Sequence, residues 1–221
     1  MTKIQKLLSA LFVLGTLASC GGTTTSSTPV ESTKPTQSEE VSVKPSEVVN
    51  SSLKEELVGI CEGKKVYLTT AGQSDTNIVG NVLNKAGATG AYTLETMLNA
   101  EAVEEGSVVL LTLGSSSKGL GAAGVNEAHE QARAAAFAAA AKEGKITLIL
   151  FHVGGAARRG TSSDPIIEAA FDGAKACFVV AEGNTDGFFT TTATAKNVLL
   201  YSVEKTLGLV DFAKGLFGIE A

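Results

Sequence analysis

Four polar segments hold the residues of this chain whose types and spacing could do chemistry: Gly72-Gln73-Ser74, Ser115-Ser116-Ser117-Lys118, the run from His152 through Gly154 and Gly155 to Arg158-Arg159, and Asn184-Thr185-Asp186. Glycine lets a backbone approach a ligand closely, and serine hydroxyls beside helix N-termini offer donors to negative oxygens. Lys118, Arg158 and Arg159 add three cations, and adjacent arginines after a Gly-Gly turn can fork onto a carboxylate or phosphate. The competing use of the arginines is in salt bridges to Asp75, Asp164 or Asp186, each worth about 0–1 kcal/mol at a surface. At most one of the two arginines is expected to face inward. The segments also admit a hydrolase, with Ser116 as nucleophile, His152 as base and Asp186 as orienting acid. Its register is poor: Gly114-Ser115-Ser116-Ser117-Lys118 lacks the second glycine of a nucleophile elbow. His152, at a strand end, reads as a donor to a backbone carbonyl, and no residue is assigned a catalytic role.

Other site chemistries are excluded by spacing. Gly119-Leu120-Gly121-Ala122-Ala123-Gly124 has the letters of a dinucleotide fingerprint, but the first glycine of that motif should follow its strand almost at once. Lys118 precedes its glycine, so there is no P-loop ending either. His129 has no second ligand at helical spacing, and no Cys/His cluster exists, so neither a metal nor a cofactor is expected.

The elements that must hold these segments alternate. Continuous apolar runs predict strands at 65–70, 108–113, 146–152, 176–181 and 198–202, with a weak sixth at 92–94. Helices fill the gaps. Asp75 is placed to cap one with an apolar face of Ile78, Val79, Val82 and Leu83. Asn126 caps an alanine-rich second that stops before Gly144, Ser163 or Asp164 with Pro165 opens a third, and Ser202 begins a last one running to about Phe217. Phe188-Phe189 start a further helix and serve as core contacts. The expected fold is α/β: one Rossmann-like, three-layer domain with a mostly parallel sheet of five or six strands. In such a sheet the four segments emerge at one edge.

The 221-residue chain has a formal charge of −5 and a pI near 5.2. It therefore lacks the basic field that nucleic acid requires. Residues 1–19 combine Lys3 and Lys6 with an apolar run to Leu17, the pattern of an export signal, too short for a membrane span. Leu17-Ala18-Ser19-Cys20 resembles the lipobox of bacterial lipoproteins, which implies cleavage before Cys20, lipidation of its thiol and an extracytoplasmic, membrane-anchored protein. Residues 20–52 are rich in Ser, Thr, Pro, Glu and Lys, and read as a flexible stalk spanning roughly 30 Å. Residues 53–221 form the domain. Cys61 and Cys177 are expected as two buried free thiols.

From Val66 to about Phe217 the chain resembles a family of bacterial proteins known as a domain of unknown function. The likeness rests on Thr70 to Ser74, Gly114 to Gly124, Gly154 to Gly160 and Gly183 to Phe189. The resemblance brings no reaction or substrate. The reading from residues is a lipid-anchored domain that binds a small anionic solute at the sheet's carboxyl edge. A two-lobed receptor would need about twice this length to close on a hinge. A membrane protein or a second copy of the chain would then supply the missing wall, with the alanine-rich helix as one contact face. A secreted hydrolase and a structural envelope protein are the alternatives.

Overall fold

The computed structural model describes residues 49–220; the signal segment, Cys20 and most of the stalk lie outside the described residues. Seven strands form one sheet: β1 (Val49–Asn50), β2 (Val66–Ala71), β3 (Thr93–Leu94), β4 (Val108–Leu113), β5 (Thr147–His152), β6 (Ala176–Val180) and β7 (Leu199–Val203). Their order is β1-β7-β6-β5-β4-β2-β3, and every neighbouring pair is parallel. The four central strands β2, β4, β5 and β6 are built mostly of Val, Leu, Ile, Phe, Thr and Ala, with Tyr67, Cys177 and a terminal histidine, and are buried along almost their whole length. That is the expected pattern for strands covered on both faces.

Helices supply that cover. On one face α1 (Thr76–Lys85) and α6 (Leu209–Leu216) pack Val79, Val82, Leu83, Leu209 and Leu216 against Leu68, Leu110, Phe151 and Phe178. On the other, α3 (Glu127–Lys142), α4 (Asp164–Ala170) and α5 (Phe188–Lys196) bring Ala134, Phe137, Ile166, Ile167 and Phe189 onto Leu111, Leu113, Leu148 and Leu150. A short α2 (Ser117–Ala123) follows β4. Cys61 and Cys177 are buried free thiols.

The sheet has seven strands where five or six were expected. The additional one, β1, is a two-residue pairing of Val49 and Asn50 onto Leu200 and Tyr201, inside the segment read as stalk. No two-residue strand carries an alternation legible in sequence. The expected last helix from Ser202 is also corrected: Ser202 belongs to β7, a short turn of 3-10 helix follows at Thr206–Gly208, and α6 starts at Leu209. Asn126 caps α3, accepting from the His129 N–H at 2.9 Å. Asp75 precedes α1 without capping it, a departure that matters for the site.

Candidate functional site

The parallel sheet brings the turns after β2, β4, β5 and β6 to one edge, where they are stitched to one another. Between β2 and β4 the strand order reverses, the position at which open α/β sheets hold ligands. There the Ser74 hydroxyl donates to Gly114 O at 2.6 Å, Gly114 N–H to Ala71 O at 3.2 Å, and Ser116 N–H to Gly72 O at 3.0 Å. Gly72 has φ +102°, and a Cβ on it would overlap the Gly114 carbonyl, so only glycine allows the two turns to meet. Ser115 N–H donates to the Ser163 hydroxyl at 2.9 Å, tying in the start of α4.

His152 is fully buried at the end of β5, under the Phe189 ring at 4.8 Å. Its Nδ1 lies 3.1 Å from Leu113 O and its Nε2 3.1 Å from Gly155 O. Burial lowers its pKa, with the two carbonyl contacts opposing. Both nitrogens face main-chain oxygens, so the imidazole meets neither Ser116 nor Asp186. Ser116 is the N-cap of α2, accepting from Gly119 N–H, and Asp186 is bound to Arg159. The Ser-His-Asp arrangement weighed from sequence is not assembled.

The two arginines divide. Arg159 donates to both carboxylates of Asp164 and Asp186 and to Gly183 O, and its guanidinium lies 4.0 Å above the Phe188 ring. Its side chain is only 10% exposed. Burial lowers its pKa, and the two carboxylates more than reverse that; Arg159 in turn holds Asp186 below the ordinary carboxylate range, helped by the Phe188 N–H. Arg158 makes one bond, from Nε to Asp75 Oδ2 at 3.2 Å, and is 34% exposed. Among the described residues its two terminal nitrogens carry no hydrogen bond.

The remaining expected residues are placed as follows. Asn184 serves α5, accepting from Phe189 N–H at 2.8 Å and Thr190 N–H at 3.3 Å. Ser117 and Lys118 stand exposed on the first turn of α2. Gly154 and Gly155 form the turn under Arg158, and Gly155 supplies the carbonyl facing His152. An open recess of about 330 Å³ flanks the stitched turns, lined by Thr70, Gln73, Ser74, Asp75, Thr76 and Thr96 among others. A larger depression of about 560 Å³ lies far from these turns, between α3 and residues 100–105 near the amino edge.

Sequence reasoning missed a buried ion pair under the β2 turn. Glu130 and Arg133, three residues apart on α3, are 0% and 3% exposed and 2.7 Å apart. Glu130 also accepts from Gly72 N–H at 2.8 Å and Gln73 Nε2 at 3.1 Å, while Arg133 donates to Leu98 O at 2.7 Å and to Thr70 O. Burial pushes the Glu130 carboxyl up, and its bonds from Arg133 and Gly72 outweigh this, so its pKa falls. The signal was a Glu-x-x-Arg pair on the sheet-facing side of an alanine-rich helix.

A family model described as a domain of unknown function, DUF6305, matches residues 63–217. The chain belongs to that family. The DUF6305 match spans β2 to α6 and so includes every turn of the carboxyl edge. No curated protein and no solved structure matches the chain.

Proposed function

We propose that this is a lipid-anchored, extracytoplasmic binding protein whose Rossmann-like domain takes a small anionic solute at the carboxyl edge of its sheet. One observation carries the reading: Arg158 stands one-third exposed where the turns converge, with two nitrogens uncommitted among the described residues. A guanidinium left open beside a polar recess is suited to a carboxylate or phosphate. Gln73, Ser74 and Thr96 in the recess wall supply neutral hydrogen-bonding partners for the rest of the solute. Arg159 is a structural tie in this reading, since all its donors have acceptors nearby. The lipid anchor rests on Cys20 and the residues before it.

A thermal-shift panel of phosphates, sulfonates, carboxylates and amino acids tests the binding reading. A ligand at a hundred times its dissociation constant adds about 2.7 kcal/mol, which raises the midpoint of a domain this size by roughly 5–10 °C. Arg158→Ala is expected to abolish the shift with little change in the unliganded midpoint. A shift of equal size in Arg158→Ala removes Arg158 from the site, and no shift with any solute removes the reading. Incorporation of a labelled lipid precursor into wild type and not into Cys20→Ser tests the anchor.

A further inference from the structure

We infer that Asp75 is a built-in stand-in for the ligand, an internal carboxylate that occupies Arg158 until a solute carboxylate replaces it. The inference rests on the solute-binding reading above and names the anion class. Asp75 directly precedes α1, where an aspartate ordinarily accepts from a first-turn N–H. It makes no such cap. Its carboxylate instead reaches Arg158 Nε, 83 residues away in sequence.

The surrounding backbone is shaped to deliver it there. Asp75 and Gln73 are left-handed, at φ +59° and +58°, and Ser74 between them is pinned to Gly114 O. Outside glycine such backbone is uncommon and costs energy that the surroundings must supply. Across the pair, a Cβ on Gly154 would overlap both Arg158 and the Asp75 carboxylate, and one on Gly114 would stand 2.9 Å from Arg158 Cβ. Two glycines thus clear space for this contact.

The contact is nevertheless the weakest ion pair of the rim. Asp164 and Asp186 each accept from Arg159 and from a main-chain N–H, of Gly160 and Phe188 respectively. Asp75 holds Arg158 by a single bond, with the acid 10% and the guanidinium 34% exposed. A group already fitted to a planar carboxylate, held by one bond and open to solvent, will exchange that carboxylate for one arriving from solution. No covalent step is involved: one ion pair opens as another forms.

The chain contains three arginines, so the Nε–H resonances of Arg133, Arg158 and Arg159 can be followed separately. The full chain as wild type, Asp75→Asn and Arg158→Ala is titrated with acetate and with inorganic phosphate. Asparagine tolerates the left-handed backbone and removes the competing charge. A latch closed about nine-tenths of the time weakens apparent affinity tenfold, so Asp75→Asn should bind acetate about tenfold more tightly than wild type. Its Arg158 Nε–H signal should move even without ligand, and Arg158→Ala should lose acetate binding. Unchanged or weaker acetate binding by Asp75→Asn overturns the stand-in role, even if wild type binds solutes from the panel. An equal gain for phosphate overturns the carboxylate class. Absence of binding by wild type and Asp75→Asn alike removes the solute reading and this inference with it.

Discussion

The two edges of the sheet solve the problem of charge with different residues. At the amino edge, Lys65 pairs with Glu104, Lys142 with Asp172 and Lys145 with Glu143, at 2.7–2.8 Å, with every partner roughly half exposed or more. At the carboxyl edge stand all three arginines of the chain, paired with Glu130, Asp75, Asp164 and Asp186; Arg133 and Arg159 are largely withdrawn from water, while Arg158 is one-third exposed and Asp186 lies at the solvent side. Lysine is a compact, strongly hydrated charge that does well in solvent, whereas the guanidinium is planar, weakly hydrated and can bond several acceptors at once. Arg133 does so, reaching Glu130, Leu98 O and Thr70 O together. The amino edge is therefore solvated trim, and the carboxyl edge is a cross-linked frame in which the sequence invests its rarest cation.

Removing a member of that frame should have the largest effect. Arg133→Met leaves Glu130 buried without its counter-charge and frees two carbonyls, which should cost roughly 3–5 kcal/mol. Urea midpoints of the variant measure it. Arg133→Lys restores the charge without the fork and should recover only part of the loss. Full recovery would show that charge alone matters, and the contrast between the edges would dissolve. Next in size is Gly154→Ala, which forces the Asp75–Arg158 pair apart by overpacking and should cost about 1–3 kcal/mol.

A pH series sharpens the same contrast. His152 has its pKa lowered by burial, so the unfolded chain takes up a proton more readily than the native domain. The stability contributed by neutral His152 is present above the unfolded value of about 6.5 and declines as the pH falls below it. Leu113 O and Gly155 O face the ring, Phe189 covers it, and Asp75 and Arg159 are the nearby charges. His152→Asn should flatten the slope of stability between pH 7 and the acid limb while lowering the plateau. A slope unchanged in the variant assigns the acid sensitivity to the carboxylates.

The sequence made the strand-helix alternation and the convergence of four turns legible, because long apolar runs and end-capping residues act locally. The apolar runs locate β2, β4, β5 and β6 to within a residue at each end. β1 and β3 were illegible or weak because two residues cannot display a period, and their pairing depends on a neighbour far along the chain. Within the site, residue types pointed to the right edge, but partnership was out of reach. Nothing local distinguishes Arg158, with one bond, from Arg159, with five. The position of Asp75 invites a helix cap, and only the tertiary approach of Arg158 redirects it. Glu130 and Arg133 escaped notice because an i, i+3 charge pair on a helix is ordinarily solvated.

The smallest effect is expected at the amino edge, and it is the more searching test. Lys142 and Asp172 meet at 2.8 Å with 65% and 48% of their side chains exposed, a separation nearly the same as the 2.7 Å between Glu130 and Arg133. If distance governed stability, Lys142→Ala would cost as much as Arg133→Met. Water competes for both ions of the exposed pair, and ordering two long side chains offsets the remaining attraction, so the midpoint of Lys142→Ala should match wild type at low and high salt alike. A clear loss at low salt that vanishes at high salt would show that the amino edge also bears load, and that burial does not separate the two edges as argued.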